Sequence, residues 1–374
     1  KDDYLTYELL DGIFKVTNHS DYYALPGQVN QQVMKNLFRN WKSYFKAIAD
    51  YRKHPDKYER MPKIPRYKKN QRHMVTLSNQ VCVLKSTHLK FPKTKHTLNV
   101  GKYLSQIGKL KEVRVIPGST YIILELVFSV NTNAESLPRQ NVASIDLGVN
   151  NLVTMINNVG KRPILVKGTV VKSINQYYNK TRGQYYSELR KGKKKNEGQF
   201  TSKRLNELDG RRHLKIKDYF HKTSYQIIKE CLNMKCGTLV IGWNMDFKKN
   251  VKLRKSDKQN FIHIPFGMLI NMLKYKAESA GIDVIITEES YTSKASFLDK
   301  DHIPVYGDEV KIEFSGKRIS RGLYRSKAGM IINADVNAAL NIMIKAVPDA
   351  AKALWDRGVG LNAIMSTPLV LKVS

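Results

Sequence analysis

The chain has 374 residues, 42% of them hydrophobic. That allows two to three domains at roughly 150 residues each and excludes wholesale disorder. Lys and Arg number 64 against 32 Asp and Glu, a formal charge of +32, which disfavours an ordinary metabolic enzyme and favours a nucleic-acid partner that neutralises the self-repulsion. No run of 18 apolar residues is present, so no membrane span is expected. Cys82, Cys231 and Cys236 form neither a CxxC pair nor a disulfide framework, which suits a reducing cytosol and argues against a cysteine-held zinc. The start at Lys1 rather than Met, with no signal peptide, reads as a fragment lacking an N-terminal piece.

From Gln28 to Asp50, Val29, Val33, Leu37, Trp41, Phe45 and Ile48 recur at spacings of four and three. This predicts a helix with those six residues on one face. Lys35, Arg39, Lys42 and Lys46 lie opposite, and Pro26 precedes the run, as suits a helix start. The stretch Met61 to Lys69 contains Pro62 and Pro65, so it is expected to be an extended connector. Its Arg66, Lys68 and Lys69, with Tyr67 among them, suit a phosphate backbone.

Residues 71–140 change period. Val75–Leu77, Val81–Leu84, Val113–Ile116 and Tyr121–Val127 are short strand-like runs, and Pro117-Gly118 marks a hairpin turn. A small antiparallel barrel or sheet is the expectation. Three close strands follow: Val142–Asp146, Leu152–Met155 and Pro163–Val166. Next comes a long polar helical region, about Ser173 to Met234, broken near Gly192 by a run that includes Lys193 and Lys194. Residues 179–222 hold 14 Lys/Arg against 5 Asp/Glu, either a solvated face or a nucleic-acid surface that would use Arg211 and Arg212.

Leu239–Ile241 is a strand, Phe266–Ala280 a helix, Ile282–Ile286 a strand and Ala334–Lys345 a last helix. The order matches an RNase H-like fold, so the whole chain reads as an α+β multidomain protein. The expected divisions are a helical part at 1–70, a β part at 71–140 and an α/β part at 141–374, with a basic insertion at about 290–330.

Asp146 ends an apolar strand and Asp335 opens a helix. Singly, one reads as a turn residue and the other as a helix N-terminal acid. A carboxylate at a strand tip, however, is costly to desolvate unless something binds it. With the strand order, the pair matches a metal-ion nuclease, in which two divalent cations take three or four carboxylates from different elements.

Ser144–Leu152 (SIDLGVNNL) resembles the first motif of the RuvC nuclease in TnpB (OrfB) transposon proteins. Glu289–Lys294 (ESYTSK) resembles their YTS motif, and Asn333–Ile342 (NADVNAALNI) their third motif. Phe314–Ile319 and Asn260–Pro265 are similar to segments of one TnpB branch. The resemblance is strong from residue 141 and weaker, though visible in residues 22–67, before it. It implies an RNA-guided DNA endonuclease with a helical recognition lobe, a small β-barrel wedge domain and a RuvC domain. It also implies guide RNA and target DNA as partners, two Mg²⁺ ions as cofactors and a cytoplasmic, nucleoid-associated prokaryotic setting. A monomer with RNA is favoured. The guide would come from the transposon end, or from a CRISPR array if the chain is a compact type V effector.

Two departures from the family stand out. The usual second-motif Glu is absent, because the fourth strand reads Leu239-Val240-Ile241-Gly242. Either the nuclease is dead and acts as a guided repressor, or Glu288 or Glu289, at the end of the next strand, replaces it; alternation sends the two to opposite faces and favours Glu289. The resemblance then implies Asp146, Glu289 and Asp335 as catalytic residues, with Glu288 as a further candidate ligand. The second departure is the absence of zinc-ribbon cysteines between Thr292 and Asn333, so no zinc is expected. Asp299, His302 and Asp308 there read as turn residues, and Lys317, Arg318, Arg321 and Arg325 are expected to touch nucleic acid.

Overall fold

The computed structural model describes residues 5–58, 60–67, 72–92, 94–103, 108–129, 136–244, 263–305, 313–320, 322–355 and 367–373. Lys68, Lys69, Asp308, Arg321 and the start of the Asn260–Pro265 segment lie outside them. The chain divides into two compact units, Lys1–Asn131 and Thr132–Ser374.

In the first unit, α1 (Tyr7–Val16) is N-capped by Thr6, whose Oγ1 accepts from Leu9 N at 3.2 Å, and α2 spans Ser20–Tyr23. The long α3 (Gly27–Lys53) starts after Pro26. Its buried side differs from the expected face: Val29, Met34 and Ile48 are buried, while Val33 and Leu37 are exposed. Steps of four residues advance about 40° beyond a full turn, so the Val29-to-Phe45 row winds nearly halfway round the helix. α1 packs against α3 through Tyr7 and Phe38, ring centroids 6.3 Å apart. The proline segment 61–67 is irregular, as expected, with Arg66 exposed.

The β segment of this unit forms two three-stranded antiparallel sheets. One is β1 (Val75–Ser78), β5 (Lys109–Pro117) and β6 (Ile122–Ser129); the other is β2 (Val83–Lys85), β3 (His88–Lys90) and β4 (Thr97–Asn99). The hairpin turns where expected, Gly118 N donating to Tyr121 O at 2.7 Å. Leu77, Cys82, Leu89, Val113 and Val29 share one core. Strand β2 begins only at Val83, because Cys82 N bonds back to Ser78 O in a turn.

The second unit is built on a six-stranded sheet of order β11-β10-β7-β8-β9-β15. Strands β7 (Val142–Asp146), β8 (Asn151–Asn157) and β9 (Ile164–Lys167) are antiparallel neighbours. Strand β10 (Thr238–Gly242) runs parallel to β7, β11 (Asp283–Thr287) parallel to β10, and β15 (Leu369–Leu371) parallel to β9. Helices α4 (Thr169–Arg190) and α5 (Lys203–Asn233) flank the expected break, where Gly192 takes φ +69°. With α6 (Phe266–Ser279) they cover one sheet face, packing on Ala143, Ile145, Leu239 and Ile241. Helices α7 (Ala334–Ala346) and α8 (Pro348–Trp355) cover the other, packing on Val142 and Val240. The insertion folds as a small sheet, β12 (Lys317–Ser320), β13 (Leu323–Arg325) and β14 (Ile331–Asn333), which feeds directly into α7. Neither that sheet nor β15 was expected from the sequence.

Candidate active site

Strand alternation fixes which face carries the chemistry. Val142 faces α7, and Ser144 Oγ donates to Ala339 O on that helix. Asp146, two residues on, falls on the same face at the strand end. Ile145 is paired with Ile241, so Gly242 of β10 lies beside Asp146. Ile342 of α7 presses onto Gly242: a Cβ there would collide with Ile342 Cδ1 and would lie 3.2 Å from Glu289 Oε2. The carboxylate of Glu289 thus hangs over the position where a side chain on Gly242 would begin.

Glu289 follows the end of β11, where the chain turns. Trp243 N bonds to Thr287 O at 2.8 Å, Asn244 Oδ1 accepts from Glu289 N at 3.1 Å, and Thr292 Oγ1 donates to Glu289 O at 2.8 Å. Its neighbour goes elsewhere: Glu288 pairs with Lys345 of α7, whose Nζ also reaches Ser290 O and Pro304 O at 3.2 Å each. The turn is strapped to α7 by two buried asparagines. Asn341 Nδ2 donates to Thr292 O and Ala295 O, and Asn337 bonds to both Ala295 O and Phe297 N.

The electrostatics separate these two glutamates. Burial raises the Glu288 carboxyl, but the bonds from Lys345 and Ser290 bring it below the ordinary range. Glu289 has no such cation among the described residues, and burial and then the charge of Glu288 push it up to about 7. Asp146 is raised well above the usual carboxylate range by burial, then by Glu289 and Asp335, with Arg318 and the Leu147 N–H pulling the other way. Asp146 therefore feels the carboxylates of two other elements, Glu289 and Asp335, at this end of the sheet.

Asp335 sits in the first turn of α7, behind an Asn333 cap whose Oδ1 accepts from Asp335 N and Val336 N. Its carboxylate accepts from Asn151 Nδ2 at 2.7 Å and meets Arg318 Nη2 at 3.4 Å. Asn151 is itself held by Lys167, Nζ to Oδ1 3.1 Å. Neither Asn151 nor Lys345 was singled out in the sequence, although Asn151 stands inside the SIDLGVNNL segment.

The other basic candidates are dispersed. Lys42 and Lys46 are exposed on α3. Lys317 and Arg325 face solvent as register partners on β12 and β13. Lys193 and Lys194 occupy the α4–α5 turn, whose carbonyls Arg190 gathers. Arg211 is exposed, but Arg212 is directed inward, to Asn175 Oδ1 at 2.7 Å and His263 O at 2.6 Å. In the insertion, Asp299 accepts from Ser296 Oγ and Lys327 N, so it holds a turn.

Among the described residues, no three His, Cys, Asp or Glu side chains form a ready-made ion cage. The donor chemistry nonetheless fits a hard divalent cation, since Asp146, Glu289 and Asp335 offer only carboxylate oxygens and the charge that Glu289 and Asp335 press on Asp146 is what a cation relieves.

The OrfB_IS605 family model, described as "Probable transposase", matches residues 125–248, and the "Cas12f1-like, TNB domain" model matches residues 266–342. This chain is a relative of the TnpB and Cas12f1-like proteins. In this TnpB relative the first match contains Asp146 and Gly242, and the second contains Glu288, Glu289, Arg318 and Asp335. The fold of the solved "Cas12f1-sgRNA-target DNA complex" matches with a TM-score of 0.51 at 14% identity, over 84% of this chain and 70% of that one. A "CRISPR-Cas12f Ternary Complex" gives a TM-score of 0.39 at 16% identity, over 90% and 79%. No curated protein matches the sequence. Among the described residues, no helix is long and apolar enough to cross a membrane.

Proposed function

We propose that this chain is an RNA-guided DNA endonuclease whose RuvC-type site is Asp146, Glu289 and Asp335. The observation that carries the reading is the placement of Glu289 over Gly242, where it supplies the carboxylate that β10 lacks. Divalent cations, two Mg²⁺ on this reading, would be held by those three residues and would activate water and stabilise the leaving oxygen of a phosphodiester. Glu288 is not part of this set, because Lys345 holds it.

The chain's own residues prepare that chemistry. Asn151 orients Asp335, and Arg318 brings a guanidinium to the same carboxylate, where it can also meet a phosphate. Asn337 and Asn341 fix the turn that carries Glu289. The helical part (1–70) would act as the recognition lobe, residues 71–140 as the wedge and residues 141–374 as the nuclease. Guide RNA and target DNA are the proposed partners, with base pairing carrying sequence and the protein supplying basic surface. The excess of 64 Lys/Arg over 32 Asp/Glu supports that division.

The test is to purify the protein with its RNA, sequence that RNA and challenge the complex with matching DNA in Mg²⁺. Cleavage that Asp146→Asn, Glu289→Gln and Asp335→Asn each remove, with DNA binding kept, is the expected result. Cleavage surviving in any of the three overturns the assignment. Guided binding with no cleavage by the parent under any divalent ion replaces it with a guided repressor.

A further inference from the structure

The α4–α5 hairpin carries an open groove of about 460 Å³ remote in sequence from the carboxylates. Tyr177, Tyr178 and Tyr185 of α4 line one side, and Arg204, Arg211 and Lys215 of α5 the other. Helical spacing explains the arrangement. Tyr178 and Tyr185 are two turns apart on α4, while Arg204, Arg211 and Lys215 recur at seven and four on α5.

Two of the rings already face a guanidinium: Arg204 lies 5.1 Å from the Tyr185 centroid and Arg212 4.8 Å from that of Tyr178. Tyr178 is further fixed by its hydroxyl, which donates to Asp209 at 2.6 Å. Arg212 cannot reach outward, because its donors serve Asn175 and His263 O. Tyr177 is different. It is 65% exposed and has no ring or cation partner among the described residues. Beside it, the Arg211 side chain is 77% exposed with only a loose 3.9 Å contact to Glu207, and Lys215 is exposed without an ion pair among the described residues.

A free aromatic face, a wall of fixed rings and two exposed cations at the rim, Lys215 and an Arg211 only loosely paired with the groove-lining Glu207, match what an unpaired nucleotide needs: a stacking platform and phosphate neutralisation. A groove of this volume is within the range that admits one small planar group. An apolar protein segment would meet cations at the rim without acids to pair them.

We propose that the α4–α5 groove is a stacking pocket for one unpaired nucleotide of a single-stranded nucleic acid, its base on Tyr177 and its flanking phosphates on Arg211 and Lys215. The pocket does not rest on the carboxylate site, and its test reads binding rather than cleavage.

The full chain, freed of nucleic acid, is mixed with short single-stranded RNA or DNA carrying one 5-iodouracil, irradiated and mapped by mass spectrometry. Adducts are expected on Tyr177 or Tyr185, competed by unlabelled single strand and not by duplex. The RNA and DNA arms show which nucleic acid supplies the nucleotide. Tyr177→Ala should weaken single-strand binding about 5- to 100-fold, as loss of one stacked base does, while Tyr177→Phe keeps it. Arg211→Ala with Lys215→Ala, both on exposed positions, should weaken binding and flatten its salt dependence. Adducts mapping only outside the groove overturn the pocket. So does a Tyr177→Ala protein that binds like the parent, or a Tyr177→Phe protein as weak as Tyr177→Ala.

Discussion

Asp11 of the first unit and Asp146 of the second are enclosed carboxylates treated in opposite ways. Asp11 accepts from Tyr22 OH at 2.6 Å and pairs with Lys15 at 2.5 Å. The Lys15 bond, then the Tyr22 bond, outweighs burial and holds its carboxyl below the usual range. For Asp146, burial, then Glu289, then Asp335 drive the carboxyl upward, and Arg318 and the Leu147 N–H do not offset them. A carboxylate that serves the fold is given donors; carboxylates gathered against one another oppose the fold and call for a cation from outside. The same contrast recurs one residue apart, with Glu288 on Lys345 and Glu289 over Gly242.

The largest expected effect lies at the gathered carboxylates. Asp146→Asn, Glu289→Gln or Asp335→Asn should each lower cleavage by more than the roughly 10- to 100-fold typical of a residue that only supports a metal ligand. Binding of Mn²⁺, followed by its effect on water relaxation, should weaken in the same variants. In the parent it should weaken as pH falls through about 7, because protons then compete for Glu289.

A second test sharpens the Glu288–Glu289 contrast. Lys345→Met should strand Glu288, destabilise the unit and cut activity within about 10- to 100-fold through the misplaced turn. Adding Glu288→Gln should restore much of the stability, read from melting curves. No recovery would mean that Lys345 acts through Ser290 O and Pro304 O instead.

Gly242→Ala probes the same corner from below. The added methyl meets Ile342 and the Glu289 carboxylate, so a cost of about 1–3 kcal/mol is expected from overpacking, together with reduced cleavage. Pairing it with Ile342→Val should recover stability before activity.

The smallest effect is the most direct comparison. Asp11 has a depressed carboxyl, so its contribution is present at neutral pH and is lost as pH falls through its folded value, below 3.8. Asp11→Asn should therefore lower the melting temperature at pH 7. Asp146 has a raised carboxyl, so its charge opposes folding once pH exceeds its unfolded value. Without divalent ions, Asp146→Asn should raise the melting temperature at neutral to alkaline pH, by a few degrees for a unit of this size. Equal shifts of one sign would erase the distinction between the two carboxylates.

Much of the fold was legible in the sequence because its strands are apolar and its helices long. The break at Gly192, the strands around Asp146 and Gly242, and the helix from Ala334 all fall within a residue or two of expectation. The inner face of α3 was misread because repeated steps of four drift around a helix. Strands β12 to β15 were missed because each is three or four residues long and mostly exposed, leaving no period to detect. At the site, the carboxylates were visible as residue types in order. Asn151 and Lys345 were not, since their partners stand 184 and 57 residues away and only tertiary contact joins them.

Strand β11 lies at the edge of the sheet, with Ile285 and Ile286 exposed. Edge strands open before the centre of a sheet does. Glu289 hangs from the end of that strand, whereas Asp146 ends the interior strand β7. The corner that completes the carboxylate set is therefore anchored to an edge of the sheet rather than to its centre. On warming, β11 amides should exchange with solvent deuterium ahead of those in β7 and β10. Cleavage should then fail at a temperature where most of the unit is still folded, a loss reversed by cooling rather than by refolding.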